Sequence, residues 1–90
     1  ATYVVQSEME NILNLSKAES FSTAMTQLDN DPTYRKKSNY TFEKAETPYL
    51  LQIKISETSD LHRIVVEAYE NSKLKAKMET KIEWRTEDEE

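Results

Sequence analysis

The stretch KLKAKMETKIEWR, from Lys73 to Arg85, decides the fold class. In it Leu74, Ala76, Met78, Thr80, Ile82 and Trp84 alternate with Lys73, Lys75, Lys77, Glu79, Lys81, Glu83 and Arg85. A period of two sustained this long means a strand with one buried face and one wet face, because successive side chains of a strand point to opposite sides. The lysines also suit an edge strand, where charge discourages unwanted sheet pairing.

Working back from that strand, Asn71 and Ser72 form a reversal short enough for a hairpin. Before it, His62 to Glu70 sets Ile64, Val66 and Ala68 on one face against Arg63, Val65, Glu67 and Tyr69 on the other. The polar run from Glu57 to Leu61 separates this strand from another at about Tyr49 to Ser56, where Leu51, Ile53 and Ile55 share a face. Pro48 interrupts further upstream, and Tyr40 and Phe42 alternate with Thr41 and Glu43 in a short first strand. The basic run Arg35, Lys36, Lys37 reads as a loop.

Upstream of the loop the period changes. Val5, Met9 and Ile12 recur at helical spacing from Thr2 to about Leu15, and Phe21, Ala24, Met25 and Leu28 do so from about Lys17 to Leu28. Ser16 followed by Glu19 has the form of a capping box, which favours a break near 14–16, although one bent helix stays open. Asp29, Asn30, Asp31 and Pro32 end the second segment, since Asn and Asp close local turns and the residue before proline avoids the α region. The expected fold is therefore α+β: an N-terminal helix, whole or broken in two, then a three- or four-stranded antiparallel meander. Residues 1–86 form a single domain, and the acidic tail at 87–90 is expected to fray.

Composition narrows the function. Ninety residues leave room for one core and no large cleft. A net charge of -5 disfavours nucleic acid, whose binding requires concentrated positive charge. The absence of cysteine removes thiolate metal sites, disulfides and cysteine nucleophiles. There is no glycine either, where average usage gives roughly six in such a chain. Phosphate loops, dinucleotide fingerprints and nucleophile elbows all depend on glycine, so none can be built. No apolar run approaches the ~20 residues that span a bilayer, and the chain opens at Ala1 at full amphipathic strength, as a processed or excised piece would.

The remaining candidate sites are thin. His62 is the lone histidine and, without partners in the sequence, reads as a surface residue. Asp29, Asn30 and Asp31 offer oxygen ligands, but the glycine and distal glutamate of a calcium loop are missing and helix termination explains them. Arg35 to Lys37 reads as a solvated loop or as partners for nearby acids. Asn14 and Asn39 sit in glycosylation triplets to which no function is assigned. No catalytic, cofactor or metal residues are expected, so the chain reads as a binding protein and not an enzyme.

The opening ATYVVQSEMENILNLSKA, Ala1 to Ala18, and the segment YLLQIKISETSDLHRIVVEAYEN, Tyr49 to Asn71, together resemble the soluble domains of minor type IV pilins and type II secretion pseudopilins, especially the small class I proteins. The processed Phe-Thr-Leu-x-Glu start of that family is not in this sequence, and its usual loop glycines are missing. The resemblance implies a membrane-anchored structural subunit whose upstream helix has been removed, on the outer face of a bacterial cytoplasmic membrane or in a cell-surface pilus. Its partners would be other pilin or pseudopilin subunits. Tyr3, Val4, Met9 and Ile12 would then line a helical contact, with core packing as the competing role for Met9 and Ile12. Arg63, Val65, Glu67 and Tyr69 would line a lateral one. Two other readings stay open: an intracellular chaperone or inhibitor that docks through its sheet edge or acidic surface, and a carboxylate-only hydrolase, for which no spacing speaks.

Overall fold

A computed structural model describes residues 1–85. Two helices, α1 (Thr2–Ala18) and α2 (Phe21–Asn30), precede five strands: β1 (Arg35–Ser38), β2 (Thr41–Glu46), β3 (Tyr49–Thr58), β4 (Leu61–Glu70) and β5 (Lys73–Ile82). The strands form one antiparallel sheet in chain order, β1 to β5, so the α+β meander expected from periodicity is present. It carries a fifth strand. The basic run at Arg35–Ser38, read above as a loop, pairs with β2 through Arg35↔Glu43 and Lys36↔Phe42. Its four residues are all exposed, and a strand with no buried face leaves no hydrophobic period to detect.

The helical region is broken, but at 19–20 and not at 14–16. Ser16 lies inside α1, where its hydroxyl donates to the Leu13 carbonyl at 2.6 Å. Ser20 caps α2 instead, accepting from the Thr23 backbone N–H at 3.3 Å. Two serines four residues apart offer the same capping chemistry, and packing selects the second. Trp84 is buried and its indole N–H donates to the Glu19 carbonyl at 3.1 Å, which fixes the chain at the break.

Both helices lie on one face of the sheet. Val5, Met9 and Ile12 from α1 and Ala24, Met25 and Leu28 from α2 meet Phe42, Leu51, Ile53, Ile55, Ile64, Val66 and Ala68 in a single core. Cross-strand rows such as Phe42, Ile53, Val66 and Met78 run through adjacent strands on that side. The turns do without glycine: Asn71 and Ser72 take φ of 54° and 66°, and Tyr40 and Ser59 take 64° and 53°. Positive φ at both hairpin residues matches the twist of the flanking strands.

The alternation in β5 is interrupted once. Ala68 faces Ala76 but Tyr69 faces Leu74, so Lys75 is an extra residue in a bulge. Leu74 therefore leaves the buried register expected for it and stands 50% exposed opposite Tyr69. The strand also stops at Ile82, and Trp84 is buried by turning over the helices rather than by continuing the ladder. The acidic residues 87–90 lie outside the described residues.

Candidate interaction surfaces

Helix α1 carries a carboxylate into the interior. Glu8 is 2% exposed, and its Oε2 accepts from the Tyr34 hydroxyl at 2.5 Å. Its Oε1 accepts from Lys44 Nζ at 2.9 Å and from Asn11 Nδ2 at 3.2 Å. Four polar groups from α1, the α2–β1 connection and β2 thus satisfy one another, as burial of a charge requires. Burial, and then the bond to Glu8, hold the Tyr34 hydroxyl pKa well above its usual range. Sequence reading missed this set because Glu8 looks like one more solvent-facing acid on a helix, and its partners lie 26 and 36 positions away.

Tyr3 and Val4, proposed from the resemblance as contact residues, separate in the structure. Tyr3 is 79% exposed, whereas Val4 packs partly against the core. Met9 and Ile12 are each 1% exposed and face the sheet, so they are core residues and not a helical contact surface. Between the first turns of α1 and the β2–β3 hairpin lies a hollow of about 330 Å3 lined in part by Tyr3, Ser7, Lys44 and Tyr49.

The second predicted set, Arg63, Val65, Glu67 and Tyr69, does share the face of the sheet that the helices leave open. There the charges pair within the chain. Lys54 Nζ lies 2.9 Å from Glu67 Oε1, which also accepts from the Tyr69 hydroxyl at 3.0 Å. Arg63 Nε lies 3.2 Å from Glu79. Glu43 accepts from Gln52 at 3.3 Å and has Lys37 at 3.9 Å. Burial pushes the Glu67 carboxyl pKa up, but the bonds from Lys54 and Tyr69 and the charges of Lys54 and Lys77 outweigh it, leaving the group below the usual carboxylate range. The Glu67 bond correspondingly raises Lys54, and burial followed by that carboxylate raises Tyr69. At one end of this face Pro48, Leu50, Tyr69 and Asn71 border a shallow hollow of about 500 Å3. It holds no cluster of catalytic groups.

His62 is not the surface residue expected. Its side chain is 12% exposed and stacks on Phe21 at 4.3 Å between ring centres, with Trp84 at 5.5 Å. Neither ring nitrogen has a hydrogen-bond partner among the described residues, and Nε2 lies 3.7 Å from the Glu57 carboxylate. The ring acts as an aromatic plate that completes the end of the core, next to the Phe21–Tyr40 edge contact.

The Asp29–Asp31 turn ends α2. Asp31 Oδ1 accepts from the Thr33 N–H at 2.9 Å and from its hydroxyl at 2.8 Å, and these bonds draw its carboxyl below the ordinary range. Asp29 pairs with Lys36 at 3.4 Å. Among the described residues no three acidic or imidazole groups converge as a metal site would require, and no helix is long and apolar enough to cross a membrane. No protein family matches the chain, and comparison with curated proteins and with solved structures gives no match.

Proposed function

We propose that this domain is a structural subunit of a type IV pilus or type II secretion pseudopilus, of the minor pilin kind, which acts by assembling and not by turnover. The observation that carries the reading is the placement of α1. It comes first, packs on one face of an antiparallel meander, and leaves Tyr3 in its first turn exposed while Val5 of the same turn enters the core. Such a helix can serve two masters: its Val5, Met9 and Ile12 stripe closes the domain core while the opposite flank stays open to helices of other subunits. The order of elements matches the resemblance in Ala1–Ala18 and Tyr49–Asn71.

In this reading the domain works on the outer side of a bacterial cytoplasmic membrane, and Tyr3 is the first residue of the soluble part to meet a neighbour. The complete reading frame tests it. An apolar segment of about 20 residues leading into α1 in helical register is the expected result. A native protein that begins close to Ala1 would overturn it and favour a binding module working inside the cell.

A further inference from the structure

The two edges of the sheet are both basic, yet they are not equivalent. On β1, Lys36 pairs with Asp29 and Lys37 with Glu43. On β5, Lys73, Lys75 and Lys81 are exposed and have no carboxylate partner among the described residues, and Lys77 is exposed opposite Glu67, which Lys54 already holds. The carboxylates of the open face are committed elsewhere, Glu79 to Arg63 and Glu67 to Lys54. Strand β5 is ten residues long, contains no proline, and forms the outer strand beyond β4, so its outward backbone groups have no partner strand among the described residues.

We propose that the β5 edge is a docking site for an acidic extended segment of a partner protein, which adds to the sheet as a sixth antiparallel or parallel strand. Backbone pairing would supply the contact, and charge would select the partner. The same lysines that repel a basic strand and leave a neutral one unrewarded attract one bearing carboxylates. The two faces of β5 define the pattern required. On the open face Lys77 and Lys81 are four residues apart, about 13 to 14 Å along a strand, and call for carboxylates at that spacing. On the helix face Met78 is 36% exposed at the margin of the core beside half-buried Ala76, which calls for apolar residues at the alternate positions. The fitting partner alternates acidic and apolar residues. The chain's own Glu87, Asp88, Glu89 and Glu90 carry the charge without the apolar alternation and do not meet the second condition. This inference stands apart from the filament reading, since it concerns only the edge and its charge.

The test uses the full chain and three nine-residue peptides: alternating Glu and Val, the same composition with the residues segregated into blocks, and alternating Lys and Val. Titration at low salt with amide exchange as the second readout is expected to give a dissociation constant on the order of 100 µM for the first peptide alone, with slowed exchange along β5. The Lys77→Glu/Lys81→Glu variant, whose side chains are exposed, is expected to weaken binding roughly tenfold or more, and Arg35→Glu on the opposite edge to leave it unchanged. Equal binding of the segregated peptide would reduce the effect to bulk charge and overturn the proposal. So would protection at β1, self-association of the chain through β5 without peptide binding, or lysine-dependent binding of anionic lipid vesicles with no peptide binding, each of which names a different occupant.

Discussion

The Tyr34 hydroxyl donates to Glu8 Oε2 at 2.5 Å, joining the second turn of α1 to the segment that leads into β1. With Lys44 at 2.9 Å on the other oxygen, this bond fastens the helix across the sheet at a point where apolar contact alone would allow it to slide. A buried carboxylate with matched donors fixes register, and removing one member leaves the others unsatisfied.

Glu8→Ala should therefore lower unfolding free energy by about 3 kcal/mol, because Lys44 and Tyr34 lose their acceptor in a poorly hydrated site. Replacing the set together, Glu8→Met with Lys44→Met and Tyr34→Phe, should recover most of that loss. Urea denaturation followed by the fluorescence of Trp84, the sole tryptophan and a buried one, measures both.

Tyr34 also predicts an alkaline limb. Its hydroxyl pKa is raised in the folded state, so the folded chain keeps a proton that the unfolded chain releases near the ordinary value of 10.0. The stabilisation is complete below that pH and declines as pH rises above it. Tyr34→Phe should show a shallower fall in stability above pH 10 than the parent, leaving Tyr69 and Lys54, both raised in the same sense, as residual contributors.

Glu67 acts in the opposite direction. Its folded carboxyl titrates below the ordinary 4.5, so its contribution is present above that pH and disappears as pH falls through the lower folded value. Glu67→Gln should flatten the acid limb of the stability profile below pH 4.5, and Lys54→Met should reduce it by removing one of the donors. Denaturation midpoints between pH 2 and 7 give the comparison.

The helix break yields a paired prediction. Ser20→Ala removes the α2 cap and should cost about 1 kcal/mol. Ser16→Ala, inside α1, removes only a bond back to Leu13 and should be neutral within about 0.5 kcal/mol. A loss at Ser16 with none at Ser20 would place the break at the earlier serine.

Periodicity made the sheet legible because β3, β4 and β5 each bury one face, and the meander follows from the short polar turns between them. What periodicity could not reveal were features without a local pattern. Strand β1 has no buried residue, the bulge at Lys75 depends on pairing with β4, and the choice of Ser20 over Ser16 depends on where Trp84 docks. The face of Arg63, Val65, Glu67 and Tyr69 was readable from alternation, but its internal charge pairing was not, since Lys54–Glu67 and Arg63–Glu79 are cross-strand contacts. Met9 and Ile12 illustrate a further limit: an apolar helical stripe looks the same whether it closes the chain's own core or another subunit's. His62 met the converse problem, because a lone imidazole gives no sign in the sequence that Phe21 and Trp84 will enclose it.

Assembly through α1 is tested most directly by site-specific disulfide trapping in cells that make the complete protein. Residues 1–90 contain no cysteine, so within them Tyr3→Cys places a thiol at one position only. Incorporation into a filament predicts oxidised products joining this subunit to other filament subunits carrying a cysteine at the matching helical level, with no such products from Gln27→Cys on α2. A Tyr3→Cys protein that stays uncrosslinked while present at normal abundance, or that crosslinks no more than Gln27→Cys, would contradict it.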